Sequence, residues 1–183
     1  MFLIRGDDMD YIFYSGLLAP VTICGITDLR KGVIKNQVVF VTAVMGLIYH
    51  MALGQGLVYS LTGALIGFIA GYIGYRVKGV AAGDLKLLVA MGVWLGVFDL
   101  YWVLFTGSVI GVIWGTVKLL MHKDFMATIK ETANIRYGVA CLRRIPEDLD
   151  APLPKDAIPF GTCLALASWM VLILKPVMGG FFW

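Results

Sequence analysis

Apolar residues run along this chain in long blocks: Tyr11 to Thr27, then Asn36 to Tyr75 without a single Lys, Arg, Asp or Glu, then Leu87 to Val117 interrupted only by Asp99. The second block holds 40 residues, about twice the roughly 20 that one helical span requires, and so reads as two helices. Read against charges and Gly/Pro breaks, the pattern predicts six helices at 11–28, 37–53, 56–75, 82–98, 100–118 and 158–178. Gly54-Gln-Gly56 turns the second into the third, and Asp99 turns the fourth into the fifth.

Composition supports this reading. With 60% hydrophobic and 15% charged residues over 183 positions, the chain is too apolar for a soluble domain of its size. It is expected to be an all-α polytopic membrane protein, with residues 1–183 as one integral domain. Asp7, Asp8 and Asp10 precede the first block where a signal peptide would carry basic residues, so that block is expected to remain as a mature span.

Orientation follows from Lys and Arg, which are retained on the cytoplasmic side. Thirteen of the 15 basic residues fall in alternate connections: after helix one (Arg30, Lys31, Lys35), around the junction of helices three and four (Arg76, Lys78, Lys86), and from Lys118 to Lys155. Only Arg5 and Lys175 lie outside that pattern, which places both termini outside and one larger cytoplasmic loop between helices five and six. The net charge of +3 is thereby accounted for by topology, and no nucleic-acid footprint is read from it. Within the large loop, 119–157, residues 126–144 suit an amphipathic surface helix beside the plainer reading of a solvated connector.

Glycines recur every four positions at Gly63, Gly67 and Gly71, at Gly92 and Gly96, and at Gly107, Gly111 and Gly115. This spacing lets membrane helices approach to backbone contact, chiefly within the bundle and, as the lesser alternative, between two copies of the chain. Cys24, Cys141 and Cys163 form no C-x-x-C pair, and His50, near the outer end of helix two, reads as an interfacial residue with no companion at metal spacing. No metal or cofactor is expected.

Two carboxylates carry the candidate chemistry. A span starting after Lys86 would have only twelve residues before Asp99, too few to cross about 30 Å of hydrocarbon at about 1.5 Å per residue. Asp84 is therefore drawn to the membrane border inside helix four. Asp28 occupies the last turn of helix one, at the same cytoplasmic depth. If these helices are neighbours, the two acids meet in a site shielded from lipid and reached by cytosolic water. Like charges at short range share one proton, the arrangement by which a carboxylate pair activates water against a peptide carbonyl. Gly83 permits close backbone approach beside Asp84. Lys86 reads more naturally as an anchor that snorkels to headgroups than as a base.

Three separated segments then resemble a known family. Asp28-Leu-Arg-Lys-Gly-Val-Ile-Lys-Asn36 is similar to a D-x5-I-P-N segment, Ala81-Ala-Gly-Asp84-Leu-Lys-Leu-Leu88 to a GxGD-V-K-L-L segment, and Ile158-Pro-Phe-Gly161 with Leu164-Ala-Leu to the I-P-F-G-P opening of a last span. In this order they resemble the type IV prepilin peptidases, membrane aspartic proteases of the GxGD class. The resemblance implies that Asp28 and Asp84 are the catalytic pair, with Gly83, Lys86, Asn36, Pro159 and Gly161 binding substrate or supporting the site. It also implies removal of a short basic leader from pilin-like or archaellin-like precursors at the cytoplasmic face of the cell's inner membrane. Ala81, Lys35 and Thr162 depart from the family pattern, standing where Gly, Pro and Pro are usual. Without a cysteine-rich domain or a loop suited to S-adenosylmethionine, the chain resembles the short, peptidase-only members.

Two other classes compete with this reading: a proton-coupled transporter or channel using the same aspartates, and a non-catalytic assembly factor. Both acids at one membrane face, with no inverted repeat, argue against the transporter.

Overall fold

In the computed structural model, which describes residues 6–53, 55–76, 80–121 and 159–175, the chain is all helical, with no strand among the described residues. Among the described residues there are five helices: α1 (Gly6–Lys31), α2 (Asn36–Ala52), α3 (Leu57–Arg76), α4 (Ala82–Met121) and α5 (Phe160–Leu174). Segments Ile12–Lys31, Leu57–Arg76 and Ala82–Val117 are long and apolar enough to cross a membrane; α2 and α5 are shorter apolar helices. Large apolar side chains such as Phe40, Val58 and Phe98 face outward, as expected where the surrounding solvent is lipid. The loop 119–157 with its expected surface helix, Cys141, and the ends of the sixth predicted helix lie largely or wholly outside the described residues.

The predicted fourth and fifth helices are the two arms of α4, and the break between them falls at Gly96 (φ 66°, ψ −165°) rather than at Asp99. Left-handed φ is open to glycine at little steric cost, whereas Asp99 continues the helix beyond the break. Contact register gives the direction of each arm. Leu85, Leu88 and Gly92 lie against Gly71, Gly67 and Gly63, so the first arm is antiparallel to α3. Gly107 faces Leu164 and Ala167, and Gly111 faces Phe160 and Cys163, so the second arm is antiparallel to α5. Since α5 starts beside Asp84, at the head of the first arm, the chain reverses direction at the break.

The break exposes carbonyls that would otherwise be bonded within the helix. His50 Nε2 donates to the Trp94 carbonyl at 2.9 Å, and Tyr59 OH donates to the Leu95 carbonyl at 2.5 Å. His50 is accordingly buried within the bundle, not placed at an interface as the sequence suggested. Its Nδ1 accepts from the Gln55 amide at 3.4 Å. Asp99, expected at an exposed turn, pairs with Lys175 at 2.7 Å and ties the second arm to the end of α5.

The glycine stripe acts within the chain. A Cβ at Gly67 would stand 2.5 Å from the Leu88 carbonyl oxygen, and one at Gly63 would collide with the Gly92 carbonyl. Gly63, Gly67 and Gly71 are buried under α4, so this face is filled and is not available for the oligomer contact considered from sequence. On the far side of α4, Trp94 fits between Gly16 and Gly46, and its Nε1 donates to the Thr42 carbonyl at 2.8 Å. This fully buried indole locks α1, α2 and α4 together at the end of the bundle opposite Asp84.

Candidate active site

Asp28 lies in the last turn of α1, where Gly32 closes the helix in left-handed conformation (φ 62°) and donates its amide to the Asp28 carbonyl at 2.8 Å. Asp84 is the third residue of α4 and accepts from the Ala81 amide at 3.2 Å through Oδ2. A side chain reaching back to the amide preceding a helix is one half of a capping box. Ala81 contributes only that backbone N–H, which Ala provides as well as the expected Gly.

The two carboxylates meet across Gly161. The position a Cβ would take there is 2.9 Å from Asp28 Oδ2 and 3.0 Å from Asp84 Oδ1. The two oxygens are therefore no further apart than the sum of these distances, about 6 Å. Pro159 caps α5, and its carbonyl accepts from Thr162 at 3.1 Å and Cys163 at 3.3 Å. The Thr162 N–H is shared, donating also to Asp28 Oδ2 at 3.1 Å, and the Gly161 amide lies beside both carboxylates. Amides in the first turn of a helix lack the regular i−4 acceptor, so anions are favoured there. Asp28, at the carboxyl end of its own helix, thus faces the amino end of another.

Among the described residues, Asp84 Oδ1 has no hydrogen-bond partner. Exposure is 3% at Asp28 and 2% at Asp84, whereas the sequence argued for a pair reached by cytosolic water. The difference comes from the short connection between α1 and α2. It lays Ile34 over the site, its Cβ 3.2 Å from the Cβ position of Gly83 and its Cδ1 2.9 Å from that of Gly161.

The remaining expected residues surround this centre. Gly83 allows Ile34 to close over the head of α4, and Lys86 donates to Asn36 Oδ1 at 2.9 Å on the exposed rim. Sequence reading missed Ile34 and Thr162. The first stands as the isoleucine of the D-x5-I-P-N-like segment but was given no role, and the second registered only as a missing proline. Cys24 and Cys163 are buried near the pair as free thiols. Among the described residues, no three His, Cys, Asp or Glu side chains cluster as metal ligands.

Leader peptidase HopD of Salmonella typhimurium is 30% identical over 167 residues, which span 87% of this chain and 88% of HopD. A prepilin leader peptidase/N-methyltransferase of Aeromonas salmonicida is 27% identical over 157 residues, and one of Stutzerimonas stutzeri 28% over 166. Those matches span 80% and 86% of this chain but 43% and 46% of the relatives, so the chain covers less than half the length of these larger proteins. No solved structure matches the chain significantly. Residues 15–116, from the first apolar helix through both aspartates and most of α4, match the type IV leader peptidase family, and the chain belongs to that family.

Proposed function

We propose that this chain is a membrane-embedded aspartic endopeptidase that removes the short basic leader of pilin-like precursors, with Asp28 and Asp84 activating the attacking water. The observation that carries the reading is the meeting of two buried carboxylates from α1 and α4 around the side-chain-free position of Gly161. Burying two acids together is costly, and membrane proteins retain such groups where they work. The names of the longer relatives, prepilin leader peptidase/N-methyltransferases, supply the substrate class.

One proton on the pair is sufficient for the chemistry. The ionised carboxylate takes a proton from water as its oxygen attacks the scissile carbonyl, and the protonated one gives its proton to the carbonyl oxygen. On collapse of the tetrahedral diol, the first carboxylate passes its proton to the leaving amine. The second recovers a proton from the diol, so the pair ends as it began. We assign Asp84 Oδ1, which has no hydrogen-bond partner among the described residues, as the base contact for water, while the Oδ2 atoms are held by backbone amides.

We further assign six membrane crossings, the two arms of α4 counting separately, with both termini on the outer side of the inner membrane. Arg30, Lys31, Lys35, Arg76 and Lys86 are exposed at the end of the bundle that holds the dyad, which makes that end cytoplasmic by the distribution of positive charge. A precursor with a basic leader in the cytosol and an apolar helix in the bilayer changes character at this depth.

The test is co-expression of wild type, Asp28→Asn and Asp84→Asn with candidate precursors from the same genome, scored for leader removal by mass spectrometry. Wild type should release the leader, and each variant should lose activity by about 1000-fold or more, since neither acid can do both proton transfers alone. Leader removal by either variant at wild-type rate would end the proposal.

A further inference from the structure

Asp28 sits where a helix ends, and terminal turns fray unless something holds them. Its fixed position therefore needs a source outside α1. α1 packs closely on α5 through Gly25, where a Cβ would stand 2.7 Å from the Ala165 Cβ and 3.5 Å from the Thr162 Cα. Thr162 Oγ1 donates to the Gly25 carbonyl at 2.9 Å. Gly25 lies three residues before Asp28, on the same helical face. The Thr162 amide donates to Asp28 Oδ2 at 3.1 Å, and its hydroxyl also stands beside that carboxylate. One residue of α5 thus grips the last turn of α1 twice, at the backbone one turn above the acid and at the acid itself.

On the basis of the peptidase reading above, we infer that Thr162 is a positioning residue for the reaction, clamping the end of α1 so that Asp28 meets Asp84 in productive register. A proline, usual at this place in the motif the chain resembles, has neither an N–H nor a hydroxyl to offer. Both contacts are consequently features of this chain's own residue. The α1–α5 seam has a second hydrogen bond, from Trp169 Nε1 to Thr22 Oγ1 at 2.8 Å. It joins the same two helices away from the acids and serves as an internal control.

The experiment measures kcat and KM for leader removal by purified full-length protein, normalised to folded protein by size-exclusion chromatography in detergent. Thr162→Val keeps the shape and the amide but loses the hydroxyl; Thr162→Pro loses both donors at a first-turn position where helices accept proline. Thr162→Ser restores both, and Trp169→Phe removes the control bond. Because the clamp acts through Asp28 and not through substrate, kcat should fall about 3- to 10-fold in Thr162→Val and about 10- to 100-fold in Thr162→Pro, with KM within about twofold. Thr162→Ser and Trp169→Phe should stay within about twofold of wild type in both constants.

The inference is overturned if Thr162→Val and Thr162→Pro both retain wild-type kcat. It is equally overturned if Trp169→Phe falls as far as Thr162→Val, which would reduce the effect to general helix packing. Asp28→Asn run alongside separates the two levels: wild-type activity in that variant removes the peptidase reading itself, whereas an inactive Asp28→Asn beside fully active Thr162 variants removes only the clamp.

Discussion

Gly161→Ala adds one methyl group at the point where the two acids converge. In the present geometry the new carbon would stand 2.9 Å from Asp28 Oδ2, 3.0 Å from Asp84 Oδ1 and 2.9 Å from Ile34 Cδ1. Even weak C–H···O contacts hold carbon and oxygen at about 3.3–3.6 Å, so each carboxylate must retreat by several tenths of an ångström. Retreat is resisted, because Asp28 Oδ2 is bonded to the Thr162 amide and Asp84 Oδ2 to the Ala81 amide. Ile34 Cδ1 is the far end of a flexible side chain and yields more easily.

Overpacking of this kind costs about 1–3 kcal/mol in stability. Displacing reacting groups by up to about 1 Å lowers turnover by as much as about 100-fold. Gly161→Ala should therefore fold with a lowered melting temperature and cleave the leader about 10- to 100-fold more slowly, measured by mass spectrometry of the processed precursor. The double variant Gly161→Ala/Ile34→Ala separates the two effects. It removes the clash with Ile34 but leaves both carboxylate clashes, so melting temperature should partly recover while turnover does not. Wild-type turnover in Gly161→Ala, or full recovery of turnover in the double variant, would refute the view that the acids converge on this backbone position.

Gly96→Ala places a side chain in left-handed backbone and against the Tyr59 ring, 2.5 Å from its Cε2; thermal unfolding in detergent should show a loss of about 1–3 kcal/mol. His50→Ala leaves the Trp94 carbonyl without its donor in a buried setting, at a cost of about 1–3 kcal/mol, and His50→Gln should recover part of that in the same assay. Ala81→Gly should leave kcat within about twofold of wild type, since residue 81 serves Asp84 through its amide alone; a tenfold change in leader removal would show that the side chain matters.

The parts of the molecule legible in the sequence were those written in local chemistry. Asp28 and Asp84 stood out because carboxylates at the ends of apolar blocks are energetically conspicuous, and Gly63, Gly67 and Gly71 announced a close helix contact by their spacing. What could not be read depended on partners distant along the chain. Asp99 looked like the turn because it is charged, but its charge is answered by Lys175 at the end of α5. The true break, Gly96, was hidden inside a stripe of small residues. His50 looked interfacial because nothing nearby revealed that the break would release a buried carbonyl needing a donor. Ile34 and Thr162 gained meaning only once α5 was folded against the ends of α1 and α4.

α5 bears neither aspartate, and the stretch matching the family stops at residue 116, well before it begins. A chain interrupted after α4 would thus keep both aspartates and the whole of that matched stretch while lacking the backbone that seats between them. If the proposed dyad is the working site, a tally of the two aspartate motifs alone would count such remnants as complete, and the short glycine-centred opening of the terminal helix is the part such a tally would overlook.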